Sequence, residues 1–254
     1  MVPLLRVEDT SINFGGLMAL TELSFDLAQG SITALIGPNG AGKTTAINII
    51  SGIYRPQKGR IFFKGKPIIG HRPYHLAAMG LTRTFQNIQV FQNMSVLENV
   101  MVGLHSQTKK EFLSSLFRLP GVSQEEKEIE NKAWEILDFF HLKDKGHWSA
   151  AGLSYGDQKR IEMARALASK PDLVLLDEPV AGLNMTETQE VAEMIRLIRS
   201  KGMTVLLVEH DMNLVMRISD KVVVLNYGQK IADGPPLSIQ KDPQVLAAYL
   251  GAED

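Results

Sequence analysis

Gly37-Pro38-Asn39-Gly40-Ala41-Gly42-Lys43-Thr44 stands between a strand-length apolar run and a helix-spaced one, and that order leaves few folds open. The eight residues fit the pattern G-x-x-x-x-G-K-[ST]. Before them, Ser31–Ile36 reads as a buried strand; after them, Ala46, Ile49, Ile50 and Ile53 recur at helical spacing. The segment is therefore strand, loop, helix. Glycines let successive backbone N–H groups converge on phosphate oxygens, and the helix that follows aims its positive dipole end at the same anion. Lys43 would reach the outer phosphates as a point charge, and the Thr44 hydroxyl could ligate Mg2+. Candidate phosphate-binding residues are Gly37, Pro38, Asn39, Gly40, Ala41, Gly42, Lys43, Thr44 and Thr45.

A second apolar run, Leu173–Leu176, ends in adjacent acids, Asp177 and Glu178, followed by Pro179. In open parallel sheets functional groups gather at the carboxyl ends of strands, where the glycine loop also starts. Asp177 is the candidate Mg2+ holder through water, and Glu178 would orient an attacking water. An ordinary glutamate is a weak base near neutral pH, so that role is positional more than proton-abstracting.

Further along, Thr186–Ser200 reads as a helix, Thr204–Val208 as a strand, Asp211–Ile218 as a helix and Val222–Leu225 as a strand. Such alternation implies a mainly parallel sheet covered on both faces. Short strands at Leu4–Val7, Ser11–Phe14, Ser24–Leu27 and Arg60–Phe63 suggest an antiparallel sheet beside it. From about Val96 to Ala168 the pattern is mostly helical. Ser123 with Glu126 resembles a capping box that opens a helix with Ile129, Ala133, Ile136, Leu137 and Phe140 on one face, and His105–Gly121 reads as an irregular insertion. No interdomain linker or repeat interrupts the chain.

Composition narrows the function classes. The 254 residues carry 27 Lys plus Arg against 28 Asp plus Glu, a net charge of −1, which argues against a nucleic-acid coat or a polybasic membrane binder. The balance is uneven: Leu27–Leu97 contains no acid, and its cations, Arg83 among them, read mainly as a solvated basic surface. Cysteine is absent, which excludes disulfides, thiolate metal sites and cysteine nucleophiles. No window approaches the roughly 20 apolar residues that cross a bilayer, and the first residues are too short for a signal peptide, so a cytoplasmic protein is expected.

One more segment, Leu153-Ser154-Tyr155-Gly156-Asp157-Gln158, precedes a helix carrying Ile161, Ala164 and Ala168. A serine and a glycine at a helix start can make another anion site, although read alone the segment is a helix cap. The glycine loop, Gln86, this segment, Asp177-Glu178 and His210 occur in an order that resembles the ATP-binding cassette (ABC) family across essentially the whole chain. The resemblance implies a single P-loop NTPase domain over residues 1–254. Its parts would be a mainly parallel α/β core, an antiparallel β subdomain and a helical subdomain inserted at about 88–168. It implies ATP and Mg2+ as ligands, and ATP hydrolysis coupled to transmembrane transport.

By the same resemblance Phe14 would stack on adenine, Gln86 would sense Mg2+ and the γ-phosphate, and His210 would contact that phosphate as a switch. Ser154 and Gly156 would complete the site of a second subunit, in a homodimer or a heterodimer with a related ATPase. Integral membrane permease subunits would dock between Gln86 and the helical lobe, with Phe85, Ile88, Val90 and Phe91 as candidate contacts. The subunit would sit peripherally on the inner face of the cell membrane, served indirectly by an extracytoplasmic solute-binding protein and with no nucleic acid. Phe14-Gly-Gly-Leu-Met-Ala-Leu20, Arg83-Thr-Phe-Gln86, Tyr155 and the ending Ala248-Tyr-Leu-Gly251 are similar to branched-chain amino acid uptake ATPases. Lipopolysaccharide-export ATPases share some of these features, and a soluble non-transport ABC ATPase is a further alternative. Three departures stand out, the first being Tyr155 in place of the first glycine of the usual Leu-Ser-Gly-Gly-Gln. Asp157 replaces the usual glutamine, so Asp157→Gln is expected to tighten ATP-driven dimerisation if Asp157 faces phosphate. Asn184 replaces an aspartate in Ala181-Gly-Leu-Asn184, the loop expected to communicate between the two sites.

Overall fold

A computed structural model of the chain describes residues 2–84, 88–105 and 122–250. In chain order the elements are β1 (Leu5–Phe14), β2 (Leu17–Leu27), β3 (Ile32–Ile36), α1 (Lys43–Ile50), β4 (Lys58–Phe63), β5 (Lys66–Pro67), α2 (Pro73–Ala78) and β6 (Leu81–Arg83). Then come α3 (Val96–His105), α4 (Val122–Phe139), α5 (Tyr155–Ala168), β7 (Leu173–Asp177), α6 (Met185–Ser200) and β8 (Thr204–Val208). The chain closes with α7 (Met212–Ile218), β9 (Lys221–Asn226), β10 (Gln229–Gly234), α8 (Pro236–Ile239) and α9 (Pro243–Leu250).

Two sheets form, in the orders β2-β1-β4-β5 and β10-β9-β3-β8-β7-β6. The first is antiparallel; in the second β9, β3, β8, β7 and β6 run parallel, and β10 returns antiparallel to β9. β3, β7 and β8 are buried along their whole length, so alternate residues enter different cores. Leu173, Leu175, Leu206 and Val208 face α1 and the antiparallel sheet, packing with Ile47, Ile50, Leu20 and Phe63. Val174, Leu176, Val205 and Leu207 face the helices, packing with Val100, Leu137, Ile161, Ala164 and Ile195. Each such side chain contributes about 1.5–3 kcal/mol on burial, and the sheet is held from both sides.

Two expectations shift. Leu4–Val7 and Ser11–Phe14 join into one strand, β1, whose register against β2 slips between Val7 and Thr10 and again before Asn13; these bulges break the alternation that would have shown a continuous strand. Ser123 falls inside α4, which starts at Val122, so it does not stand ahead of the helix as a cap. The apolar face of α4 is otherwise as expected, with Ile129, Ala133 and Leu137 buried and Phe140 just past its end. Most of the expected insertion at His105–Gly121 lies outside the described residues. Among the described residues, no helix is long and apolar enough to cross a membrane.

Candidate nucleotide-binding site

The chain leaves β3 at Ile36 and turns at once through Gly37, whose φ is +151°. A Cβ at Gly37 would lie 2.1 Å from the Leu225 carbonyl oxygen, and one at Gly42 (φ +100°) would lie 2.7 Å from that of Ala19. The loop is pressed against β9 at one end and β2 at the other, and only glycine fits at either contact. Between them the Ala41 N–H donates to the Pro38 carbonyl at 3.2 Å. Lys43, at the start of α1, donates from Nζ to the Gly37 and Pro38 carbonyls at 2.7 and 2.9 Å. Burial lowers its pKa below the ordinary lysine value, while Glu178 and Asp177 oppose that shift.

Over this loop opens a cleft of about 480 Å3, within the size range of small-molecule sites. Asn39, Gly40, Ala41, Gly42, Lys43, Thr44 and Thr45 line it, together with Glu178 and with Phe14, Leu17, Met18 and Tyr227. Phe14 meets Tyr54 edge-on at 5.3 Å and is 44% exposed, which leaves the ring accessible to a flat partner.

The two acids after β7 differ sharply. Asp177 is buried and takes a hydrogen bond of 2.8 Å from Arg83 Nη2; Arg83 Nη1 also donates to Asn48 Oδ1 at 2.6 Å and Ser51 Oγ at 2.9 Å. One guanidinium therefore ties β6, β7 and the end of α1 together. Glu178 sits in left-handed backbone (φ +48°), and its N–H donates to the Val208 carbonyl at 2.9 Å. Next to Val208, the fully buried Glu209 accepts the N–H groups of Val180 and His210, each at 3.1 Å. Burial raises the Glu209 carboxyl pKa, and these N–H groups pull it back. The His210 side chain is 62% exposed, with Nδ1 3.9 Å from Glu209 Oε2.

Among the described residues no three His, Cys, Asp or Glu side chains gather as an all-protein metal cage. Mg2+ takes one or two protein oxygens and completes its shell with water and phosphate. The Thr44 hydroxyl and the Asp177 carboxylate are donors of the right kind.

Residues 20–181 match the ABC transporter family, and residues 229–254 match the branched-chain amino acid ATP-binding cassette transporter family. The high-affinity branched-chain amino acid transport ATP-binding protein LivG of Salmonella typhimurium is 42% identical, covering 98% of each chain. BraF of Pseudomonas aeruginosa, with the same description, is 41% identical over 98% of each. The chain belongs to the ABC transporter ATPases, in the group of branched-chain amino acid ATP-binding subunits. A solved cassette of an ABC transporter in its ADP conformation superposes with a TM-score of 0.86 at 34% identity, covering 99% of this chain and all of that one. A nucleotide-free cassette gives 0.84 at 34% identity over 98% and 99%. The α/β cassette fold expected from the sequence is the fold observed, and the subunit is an ATP-binding ATPase.

Within this cassette, Phe14, the glycine loop, Thr44, Thr45 and Glu178 share the cleft. Pro38 supplies loop carbonyl contacts, and Gln86 lies outside the described residues. Ser154 and Gly156 stand elsewhere. Ser154 caps α5, accepting the Asp157 N–H at 3.2 Å, and Gly156 packs so closely on α6 that a Cβ would lie 2.7 Å from Glu187 Oε1. Tyr155 covers Gly182 of the Ala181–Asn184 loop. Asn184 forms a capping box with Glu187, which gives the asparagine a local structural use at the start of α6.

Asp157 is paired with cations of its own chain. Its carboxylate pairs with Lys145 and lies 3.8 Å from Arg160, with the side chain only 9% exposed. It is turned into the helical layer and neutralised there, so the repulsion that Asp157→Gln was expected to relieve is absent.

Two residues do not stand out from the sequence alone. Arg83 reads there as one of the solvated cations of a basic stretch, and no local signal points to the buried carboxylate it meets. Glu209 follows an apolar run just as Asp177 does, and that shared end-of-strand position is the available signal.

Proposed function

We propose that two copies of this cassette, or this cassette and a related one, close head to tail around two ATP molecules. Carrying this reading is the separation on one chain of two anion-binding halves: the glycine-loop cleft, and the Ser154-Gly156 helix start that does not line it. A second copy supplying Ser154 and Gly156 completes each site. Lys43 and the loop N–H groups hold the outer phosphates, Thr44, Asp177 and Gln86 provide oxygens for Mg2+, and Glu178 orients the water, with His210 at the γ-phosphate. Mg2+ held by these oxygens would neutralise negative charge on the phosphates. Because ATP touches both halves only in the closed pair, it favours closure; hydrolysis removes the bridge and the pair opens.

The whole chain, 1–254, works as one ATPase unit in which the helices between about 88 and 168 form the lobe bearing Ser154. Its relatives' descriptions support branched-chain amino acids as the cargo, imported through integral membrane permeases fed by a solute-binding protein. The cassette would sit on the inner membrane face. A groove of about 300 Å3 between α2–β6 and α3–α5 has room for side chains of a permease segment; Pro73, Tyr74 and Leu81 form one wall, and Gly103, Arg165 and Ala166 the other. Tyr74 is 61% exposed and is the natural anchor.

Tyr74→Glu, co-expressed with the permeases, is expected to lower recovery of the cassette with membranes by about tenfold, while hydrolysis by the isolated subunit stays within about twofold. Recovery at the parent level would remove this groove as the docking site.

A further inference from the structure

The backbone at Glu178 is held where an L-residue rarely sits, with φ +48°. A non-glycine residue in that region costs about 1–3 kcal/mol and persists only when its surroundings over-determine it. Two hydrogen bonds bracket the residue. On one side the Glu178 N–H donates to the Val208 carbonyl at 2.9 Å. On the other, beyond Pro179, which has no N–H to give, the Val180 N–H donates to Glu209 Oε1 at 3.1 Å. The second oxygen of the same carboxylate takes the N–H of His210 at 3.1 Å. One buried side chain thus joins the segment carrying Glu178 to the segment carrying His210, and Val208 and Glu209 are consecutive residues.

We propose that Glu209 is a positioning residue for ATP hydrolysis. Its carboxylate staples the ends of β7 and β8, fixes Glu178 in its left-handed conformation, and sets the peptide from which His210 projects. This rests on the reading of Glu178 as the residue that orients the water. Glutamate suits the task because both oxygens accept, whereas a glutamine would present an amide N–H2 to one of two N–H donors. A misplacement of Glu178 by a fraction of an ångström slows the chemical step without loosening the phosphate contacts, which belong to another loop.

The test is a double-mutant cycle on the full-length subunit, with hydrolysis and binding of a fluorescent ATP analogue measured for the parent, Glu209→Gln, Glu178→Gln and the double variant. Glu209→Gln is expected to lower kcat about tenfold with KM within about threefold. In the Glu178→Gln background it should lower the residual single-turnover rate by less than about threefold, because one of the two groups it positions is gone and only its hold on the His210 peptide remains. A merely structural Glu209 would give the same fractional loss in both backgrounds, and that result would overturn the proposal, as would a folded Glu209→Gln protein that keeps parent kcat. Parent-like hydrolysis by Glu178→Gln would instead overturn the role given to Glu178. If Glu209→Gln does not fold, Glu209→Asp keeps the charge and withdraws it by one methylene. The same cycle then applies: a loss larger in the Glu178 background supports the proposal, and an equal loss in both backgrounds overturns it.

Discussion

Glu178→Gln is expected to bind ATP as the parent does and to lose turnover by about two to four orders of magnitude. Glutamine keeps the size of the side chain and one carbonyl oxygen, so the cleft and the glycine loop are undisturbed. What goes is the carboxylate proposed to hold the attacking water in line. Lys43 stays anchored on the Gly37 and Pro38 carbonyls, and the loop stays packed against β9 and β2, when the Glu178 charge is removed. Binding survives and chemistry does not. A pair that closes on ATP and cannot hydrolyse it stays closed, so this variant should sediment as a dimer with ATP and as a monomer with ADP. Phosphate release with sedimentation velocity checks both. Turnover within about threefold of the parent would show that another group orients the water.

Arg83→Met is expected to destabilise the cassette by about 3–5 kcal/mol, which for a chain of this size lowers Tm by about 10 °C. The guanidinium is 8% exposed and its partner Asp177 3% exposed. Removing the cation leaves a carboxylate in a low-dielectric interior without its direct ion-pair partner, and it also strips Asn48 and Ser51 of a donor. The double variant Arg83→Met/Asp177→Asn removes both charges and should recover most of the loss, since a buried pair replaced on both sides is often near neutral. Thermal and urea melts without nucleotide measure this. A single-variant loss below about 1 kcal/mol would show that the ion pair does not hold β6, β7 and α1 together.

Much of the core is legible in the sequence because its signals are local. Ser31–Ile36, Leu173–Leu176 and Thr204–Val208 are buried on both faces, so each reads as a continuous apolar run, and the glycine loop cannot be mistaken for another turn once a strand precedes it. Edge strands are harder. β6 is only Leu81–Arg83, too short for any period, and β10 is half exposed and polar. β1 reads as two pieces because its bulges shift the alternation.

At the site, residues whose chemistry sits in the motif itself are legible: Phe14, Lys43, Thr44 and Glu178 meet in one cleft. Residues that act through long-range pairing are not. Arg83 and Asp177 are far apart in sequence, and nothing about an arginine in a basic stretch reveals a buried carboxylate opposite. Asp157 misleads for the same reason, since Lys145 lies in a turn whose place beside α5 depends on the helical packing.

The central claim is that one chain holds half of each catalytic site, and the rate per chain against protein concentration tests it most directly. Hydrolysis per chain should be near zero where sedimentation finds monomer, climb as ATP-bound dimer forms, and level off when dimer predominates. A rate per chain that is the same at every dilution, including those at which only monomer sediments, would contradict it.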